Sequence, residues 1–266
     1  MFDNVCKFLA ENYSEDFAQW LLGYKVTLTE LKPTELSLQP IRADSLILLQ
    51  SENLVLHLEF QTGADETMAF RMIDYRLRVY RRYPQKQMKQ VVIYLRKTSS
   101  ELTQQNNFRL EKTYHEFDVI RLWEQPPELL MNQLGLLPLA VLCEVENPKI
   151  VLTQIAQTIK QQSDTTTKNN LLAISSILAG LVLNETTIKQ ILRSDIMRES
   201  VIYQEILREG KLEGKLEGKL EGKLEAKIEI AQNLLRNQMT IAQVVMFTGL
   251  PQDSVEELAQ NLINEI

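Results

Sequence analysis

Cysteine is nearly absent from this chain: two residues in 266, Cys6 and Cys143, far apart and in no metal-ligand spacing. That scarcity argues against a disulfide framework and a thiolate zinc site, and it suits a reducing cytoplasm. Long apolar runs are missing too. The longest, "LLAISSILAGLVL" (Leu171–Leu183), falls short of the roughly 20 residues a bilayer span requires, so it reads as a buried helix. The opening "MFDNVCKFLAENYSEDF" carries acids and lacks the basic-then-apolar order of a signal peptide. A soluble, cytoplasmic protein with no membrane partner is expected. No glycine-rich phosphate loop, Gly-x-Ser-x-Gly elbow or His-Glu-x-x-His motif occurs, so those chemistries find no support.

What is present is an ordinary apolar fraction of 44%, enough for a sizeable core. The net charge of −6 gives no global attraction to nucleic acid, but it is unevenly spread. Between Phe70 and Lys97 nine cations (Arg71, Arg76, Arg78, Arg81, Arg82, Lys86, Lys89, Arg96, Lys97) face one acid, Asp74, a local charge of +8. Two readings fit this run: a docking site for a polyanion, or a solvated helix face.

Periodicity orders the chain. Asn4–Leu22 reads as an amphipathic helix broken near Asn12–Ser14, and "KVTLTELKPTELSLQPIRADSLILL" as strands around turns at Pro33 and Pro40. Asn53–Gln61 is a strand, and Thr67–Tyr83 a helix with Thr67 at its N-cap. Gln90–Lys97 and Tyr114–Glu124 are two further strands. This order implies an α/β core of a sheet flanked by helices, followed by an all-helical C-terminal region. The expected divisions are a core over 1–125, a helical region over 126–208 with "SDTTTKNN" as a polar break, a repeat helix over 209–230 and a helical hairpin over 231–266.

The chemistry concentrates on Leu54–Gln61. With period two, Leu54, Leu56, Leu58 and Phe60 face one side and Val55, His57, Glu59 and Gln61 the other. On the preceding strand Arg42 and Asp44 share a face with Leu46 and Leu48. Pairing Asp44 beside Glu59 would bring two carboxylates together at the edge of an apolar sheet. Such a pair repels unless a cation intervenes, and hard carboxylate oxygens suit Mg²⁺ or Mn²⁺. A metal there polarises a phosphodiester and acidifies a bound water. The competing reading makes Asp44 a turn residue and Glu59 an edge-strand acid paired with Arg42 or Arg71. His57 fits either a general base or a packing residue. On the following helix Arg71, Tyr75, Arg78 and Arg82 form one stripe, a candidate phosphate clamp. Ala69, Met72, Ile73, Leu77 and Tyr80 are the expected packing face.

The ordered set "RADSLILL", "LHLEFQTGADETMAFRMIDYRLRVYRRY", "VVIYL", "VIRLWEQPPELLMNQLGLLPLAVL" and "GKLEGKLEGKLE" resembles the PD-(D/E)XK nuclease superfamily. More narrowly it is similar to the recombination-promoting nuclease/transposase group common in cyanobacteria. The resemblance covers nearly the whole chain and is sharpest from Arg42 to Tyr83. It implies a restriction-endonuclease-like mixed sheet and a metal-dependent DNA endonuclease linked to recombination or mobile DNA. Asp44 and Glu59 match the metal-binding acids, and Gln61 stands where the superfamily has Lys. Glutamine orients water but contributes no charge, a charge Arg71 is placed to supply. Some members add an acid from the first helix, for which Glu11, Glu15 and Asp16 are candidates. The rival class is a binding or scaffolding protein that keeps the nuclease fold; the missing Lys favours it.

The "GKLE" repeat places Leu212, Leu216, Leu220 and Leu224 on one slowly winding seam, with Lys on one flank and Glu on the other. Its glycines Gly210, Gly214, Gly218 and Gly222 each cost on the order of 1 kcal/mol relative to Ala, so a lone helix is poor. A parallel homodimer and a flexible charged linker fit equally. Thr240–Leu262 has helix-turn-helix rhythm, but its second helix carries Asp253, Glu256 and Glu257 and no cation. It reads as a helical hairpin rather than a DNA reader.

Overall fold

The computed structural model describes residues 2–31, 46–192, 200–237 and 239–264. Arg42 and Asp44 lie outside the described residues. The N-terminal segment forms α1 (Phe2–Asn12) and α2 (Ser14–Leu22), separated by Tyr13 alone. Val5, Cys6, Leu9 and Ala10 make the buried stripe of α1. The second helix ends at Gly23, whose φ of +82° is the left-handed conformation that glycine adopts without Cβ strain.

Five strands make a mixed sheet: β1 (Thr29–Glu30), β2 (Leu46–Gln50), β3 (Leu54–Gln61), β4 (Gln87–Tyr94) and β7 (Asp118–Arg121), in the order β1-β2-β3-β4-β7. The first two pairings are antiparallel, and β3–β4 and β4–β7 are parallel. The parallel β3–β4 pair needs a crossover, which α3 (Met68–Arg82) supplies. β5 (Asn107–Leu110) and β6 (Thr113–Glu116) form a separate hairpin between β4 and β7. The single strand expected over Tyr114–Glu124 is thus two strands in different sheets, parted at buried Phe117, and it ends at Arg121.

β3 is the central strand, not an edge, and both its faces are covered. Ile47, Leu49, Leu56, Leu58, Phe60, Val91 and Ile93 pack with α1 and α2; the Phe17 and Phe60 rings meet edge to face at 6.2 Å. The same core takes in Leu137, Leu139, Ala140, Val141 and Leu142 of the 3₁₀ segment Leu137–Leu142, together with α5 (Pro148–Lys160) and α6 (Thr165–Ala179). The expected boundary at 125/126 therefore runs through one shared core. Short helices α4 (Glu128–Met131) and α7 (Glu185–Ile191) complete this region. Asp164 caps α6 through a 2.6 Å bond from Thr167 N, so the helix starts inside "SDTTTKNN"; the run beginning at Leu171 is a mostly buried helix as far as Ala179, where α6 ends, and Val182 beyond it is exposed.

The chain divides into two compact units, Met1–Ile206 and Leu207–Ile266. One helix, α8 (Val201–Arg236), contains the whole GKLE repeat. In the second unit Ala231, Val244, Leu250 and Val255 form a small core with α9 (Ile241–Thr248) and α10 (Gln252–Asn264). Thr240 and Gln243 form a capping box, and Gly249 turns the chain at φ +63°. Among the described residues no helix is long and apolar enough to cross a membrane.

Candidate functional site

The opposite face of the sheet carries Leu48, Val55, His57, Glu59, Gln90, Val92 and Tyr94 beneath α3. Met68, Ala69, Met72, Tyr75 and Val79 of α3 are the side chains that bury against it. The expected packing face is corrected accordingly: Leu77 and Tyr80 are 55% and 57% exposed, and Tyr75 turns inward. Positions 68, 72, 75 and 79 are a single helical stripe, and 77 and 80 fall off it.

Glu59 is 0% exposed. An isolated carboxylate there would be very costly, and the chain balances it with Arg71, whose Nη2 donates to Oε2 at 2.7 Å. Arg71 Nη1 also donates to Asp65 Oδ2 at 3.1 Å. Asp65 Oδ1 in turn accepts from Thr67 N at 2.8 Å and Thr67 Oγ1 at 2.7 Å. Asp65 thus serves the N-terminus of α3 in place of the expected Thr67 cap, whose side chain makes no capping bond. Partial burial works against the Asp65 charge, but the bonds from Thr67 and Arg71 hold its pKa below the usual aspartate value. Arg71 shows the same balance: burial lowers it, and Glu59 and Asp65 raise it above an ordinary guanidinium. Burial, then the Glu59 charge, raises the Tyr75 phenol.

The anticipated Arg–Tyr stripe therefore divides. Arg71 sits over Glu59, Tyr75 is 5% exposed against the sheet, Arg78 pairs with Asp74 at 2.8 Å, and Arg82 is exposed beside the Tyr83 ring. Gln61 is half-buried at the end of β3. The strand register sets Leu46, not Asp44, opposite Glu59. The three N-terminal candidate acids belong to helices on the other side of the sheet. Glu11 pairs with Lys7, Glu15 accepts from Thr27 Oγ1 at 2.6 Å, and Asp16 accepts from Gly135 N at 2.8 Å.

A carboxylate oxygen suits Mg²⁺ or Mn²⁺ in kind. As described, however, Glu59 is balanced by a guanidinium, so an ion held there has to share the carboxylate with Arg71 or displace it. Among the described residues no group of three or more His, Cys, Asp or Glu side chains could hold a metal.

Sequence reasoning missed two participants. Gln90 is 5% exposed and joins His57 Nδ1 at 2.9 Å to the Met72 carbonyl at 2.7 Å. His115 Nε2 lies 2.8 Å from Gln90 Oε1. Neither carries a signal in the sequence: Gln90 stands at the polar start of β4, next to Lys89, and is the first buried residue of that strand. Comparison with protein-family models, with curated proteins and with solved structures finds no match for this chain.

Proposed function

We propose that this chain is a metal-dependent DNA endonuclease whose cutting site is centred on Glu59, with Asp44 and Gln61 beside it. The observation that carries the reading is a carboxylate at 0% exposure on the central strand, beneath a guanidinium whose side chain is 24% exposed. Packing alone is served by the Val and Leu that fill neighbouring positions, and a buried ion pair is on average no better than its apolar replacement. The reading requires the β2–β3 pairing to continue beyond Leu46; Asp44 would then stand across from Gln61 and diagonal to Glu59. Asp44 and Glu59 would then hold Mg²⁺ or Mn²⁺. The ion would supply Lewis acidity at phosphorus and a more acidic bound water. Gln61 orients the attacking water through its amide. Arg71, released from part of its charge balance with Glu59, binds the scissile phosphate, and Arg78 and Arg82 hold the flanking backbone. Tyr75 backs Arg71 from the packed side. The PD-(D/E)XK resemblance of these residues supports the same reading and its link to recombination or mobile DNA.

The test uses the full chain, duplex plasmid DNA and Mg²⁺. Cleavage is expected in the native protein and lost in Asp44→Asn and Glu59→Gln, with Asp44→Asn keeping the native melting curve. Cleavage that survives both substitutions removes the assignment.

A second reading has its own observation: the Arg71 guanidinium pairs with Glu59 at 2.7 Å and balances its charge. On that view the chain is a nuclease-fold binding or scaffolding protein. Calorimetric titration separates the two, since a scaffold shows no Mn²⁺ affinity that depends on Glu59. We also propose a homodimer through the α8 repeat, in which the Lys flank of one copy meets the Glu flank of the other. Light scattering on a chain ended at Glu209 should report monomers; an unchanged oligomeric state excludes the pairing.

A further inference from the structure

His115, Gln90, His57 and Glu59 form one hydrogen-bonded series beneath α3. His115 Nε2 lies 2.8 Å from Gln90 Oε1, Gln90 Nε2 2.9 Å from His57 Nδ1, and His57 Nε2 3.4 Å from Glu59 Oε1. His57, Glu59 and Gln90 are all 5% exposed or less. The parallel register sets His57 directly beside Gln90.

One backbone group fixes the direction of the series. The Met72 carbonyl can only accept, and it lies 2.7 Å from Gln90 Nε2. Turning the amide over would press two acceptors together, so the nitrogen must face Met72. The second hydrogen of that nitrogen then points at His57 Nδ1, which must carry the lone pair. A neutral imidazole with its lone pair on Nδ1 carries its proton on Nε2, the nitrogen that faces Glu59. Gln90 Oε1 is left to accept from His115 Nε2–H. Every donor in the series is thereby aimed toward the carboxylate, an alignment in which successive bonds polarise one another. The Tyr75 ring, edge-on to His57 at 5.2 Å, confines the imidazole plane.

We infer that His57 is a positioning residue for Glu59, locked by Gln90 as the neutral Nε2–H tautomer. It is not a general base. Its lone pair is committed to Gln90, and the nitrogen nearest the site already bears a proton. Through the Oε1 contact it fixes the rotation of the Glu59 carboxylate, so that Oε2 is presented toward Arg71. The catalytic meaning of this role rests on the endonuclease reading; the tautomer does not.

The chain has only two histidines, so long-range ¹H–¹⁵N correlation of the metal-free, ¹⁵N-labelled full chain at neutral pH gives two resolvable rings, assigned with His115→Gln. A single Nε2–H tautomer is expected at His57, and Gln90→Leu should release it to a mixture of tautomers. A native His57 found as Nδ1–H or as imidazolium overturns the proposal, as does a tautomer unmoved by Gln90→Leu. A parallel Mn²⁺ titration should weaken about tenfold in Gln90→Leu, the usual penalty for losing an outer-shell partner. Undiminished affinity there overturns the positioning role. No Mn²⁺ binding by the native chain sinks the endonuclease reading and leaves the tautomer assignment to be decided by its own spectrum.

Discussion

Replacing Arg71 by Met tests the electrostatics of the polar strip directly. Methionine keeps much of the stem volume and removes the guanidinium, leaving the Glu59 carboxylate at 0% exposure without its balancing charge. Two opposite charges about 4 Å apart at an effective dielectric of about 20 interact by about 4 kcal/mol, and breaking one partner of a buried pair costs about 3–5 kcal/mol. Because the Arg71 side chain is 24% exposed, we place Arg71→Met near the lower end, at about 3 kcal/mol. Glu59→Gln leaves Arg71 bonded to Asp65 and open to water, for about 1–2 kcal/mol. The double variant should cost about 2 kcal/mol, well under the sum, for a coupling energy of about 2–3 kcal/mol. Both tryptophans, Trp20 and Trp123, lie in the Met1–Ile206 unit, so tryptophan fluorescence during urea unfolding reports that unit alone. A loss below about 1 kcal/mol for Arg71→Met at unchanged m-value, or additive single effects, would refute the picture of a charge held in place by its partner.

Two further outcomes follow from other contacts. A Cβ on Gly135 would overlap the Cβ and Cγ of Tyr13, which are the stem of that side chain and cannot swing away. Gly135→Ala should therefore destabilise by about 3 kcal/mol, at the upper end for overpacking; a melting temperature within about 2 °C of native would contradict it. The folded-state pKa of Asp65 is depressed, so its contribution is present above the ordinary aspartate value and lost as pH falls through the lower folded value. Asp65→Asn should cost about 1 kcal/mol at pH 7, discounted for its partial exposure, with the gap to native closing below about pH 4. A gap that persists at low pH would show that the Asp65 charge contributes nothing.

The elements themselves were largely legible. The α1–α2 break, the Leu54–Gln61 strand, the α3 crossover and the buried Leu171 run all follow from local periodicity. The features that local periodicity does not reveal depend on neighbours distant in sequence. The alternation of Val55, His57, Glu59 and Gln61 with leucines looks like one wet face. Only when β4 and α3 close over it do His57 and Glu59 become buried. The His57–Gln90 contact spans 33 positions, and nothing in either strand announces it. By spacing Tyr75 belongs with Arg71, Arg78 and Arg82. Its ring instead fills the space beside His57 and Val79, and tertiary packing decided which side of the helix it joined. The ion pair of Glu59 with Arg71 is present, but on the central strand and not at an edge.

Both native thiols are sealed into the first unit, Cys6 at 0% exposure in α1 and Cys143 at 6% just past the Leu137–Leu142 segment. Burial, reinforced by Glu128, pushes the Cys143 thiol up to about 12, and burial with Asp3 nearby drives Cys6 well above its normal range. Since only the thiolate attacks electrophiles, alkylation at either position must wait for the core to open. The chain thus carries two built-in clocks for its own breathing, and a fluorophore attached through one engineered surface cysteine would find no native competitor.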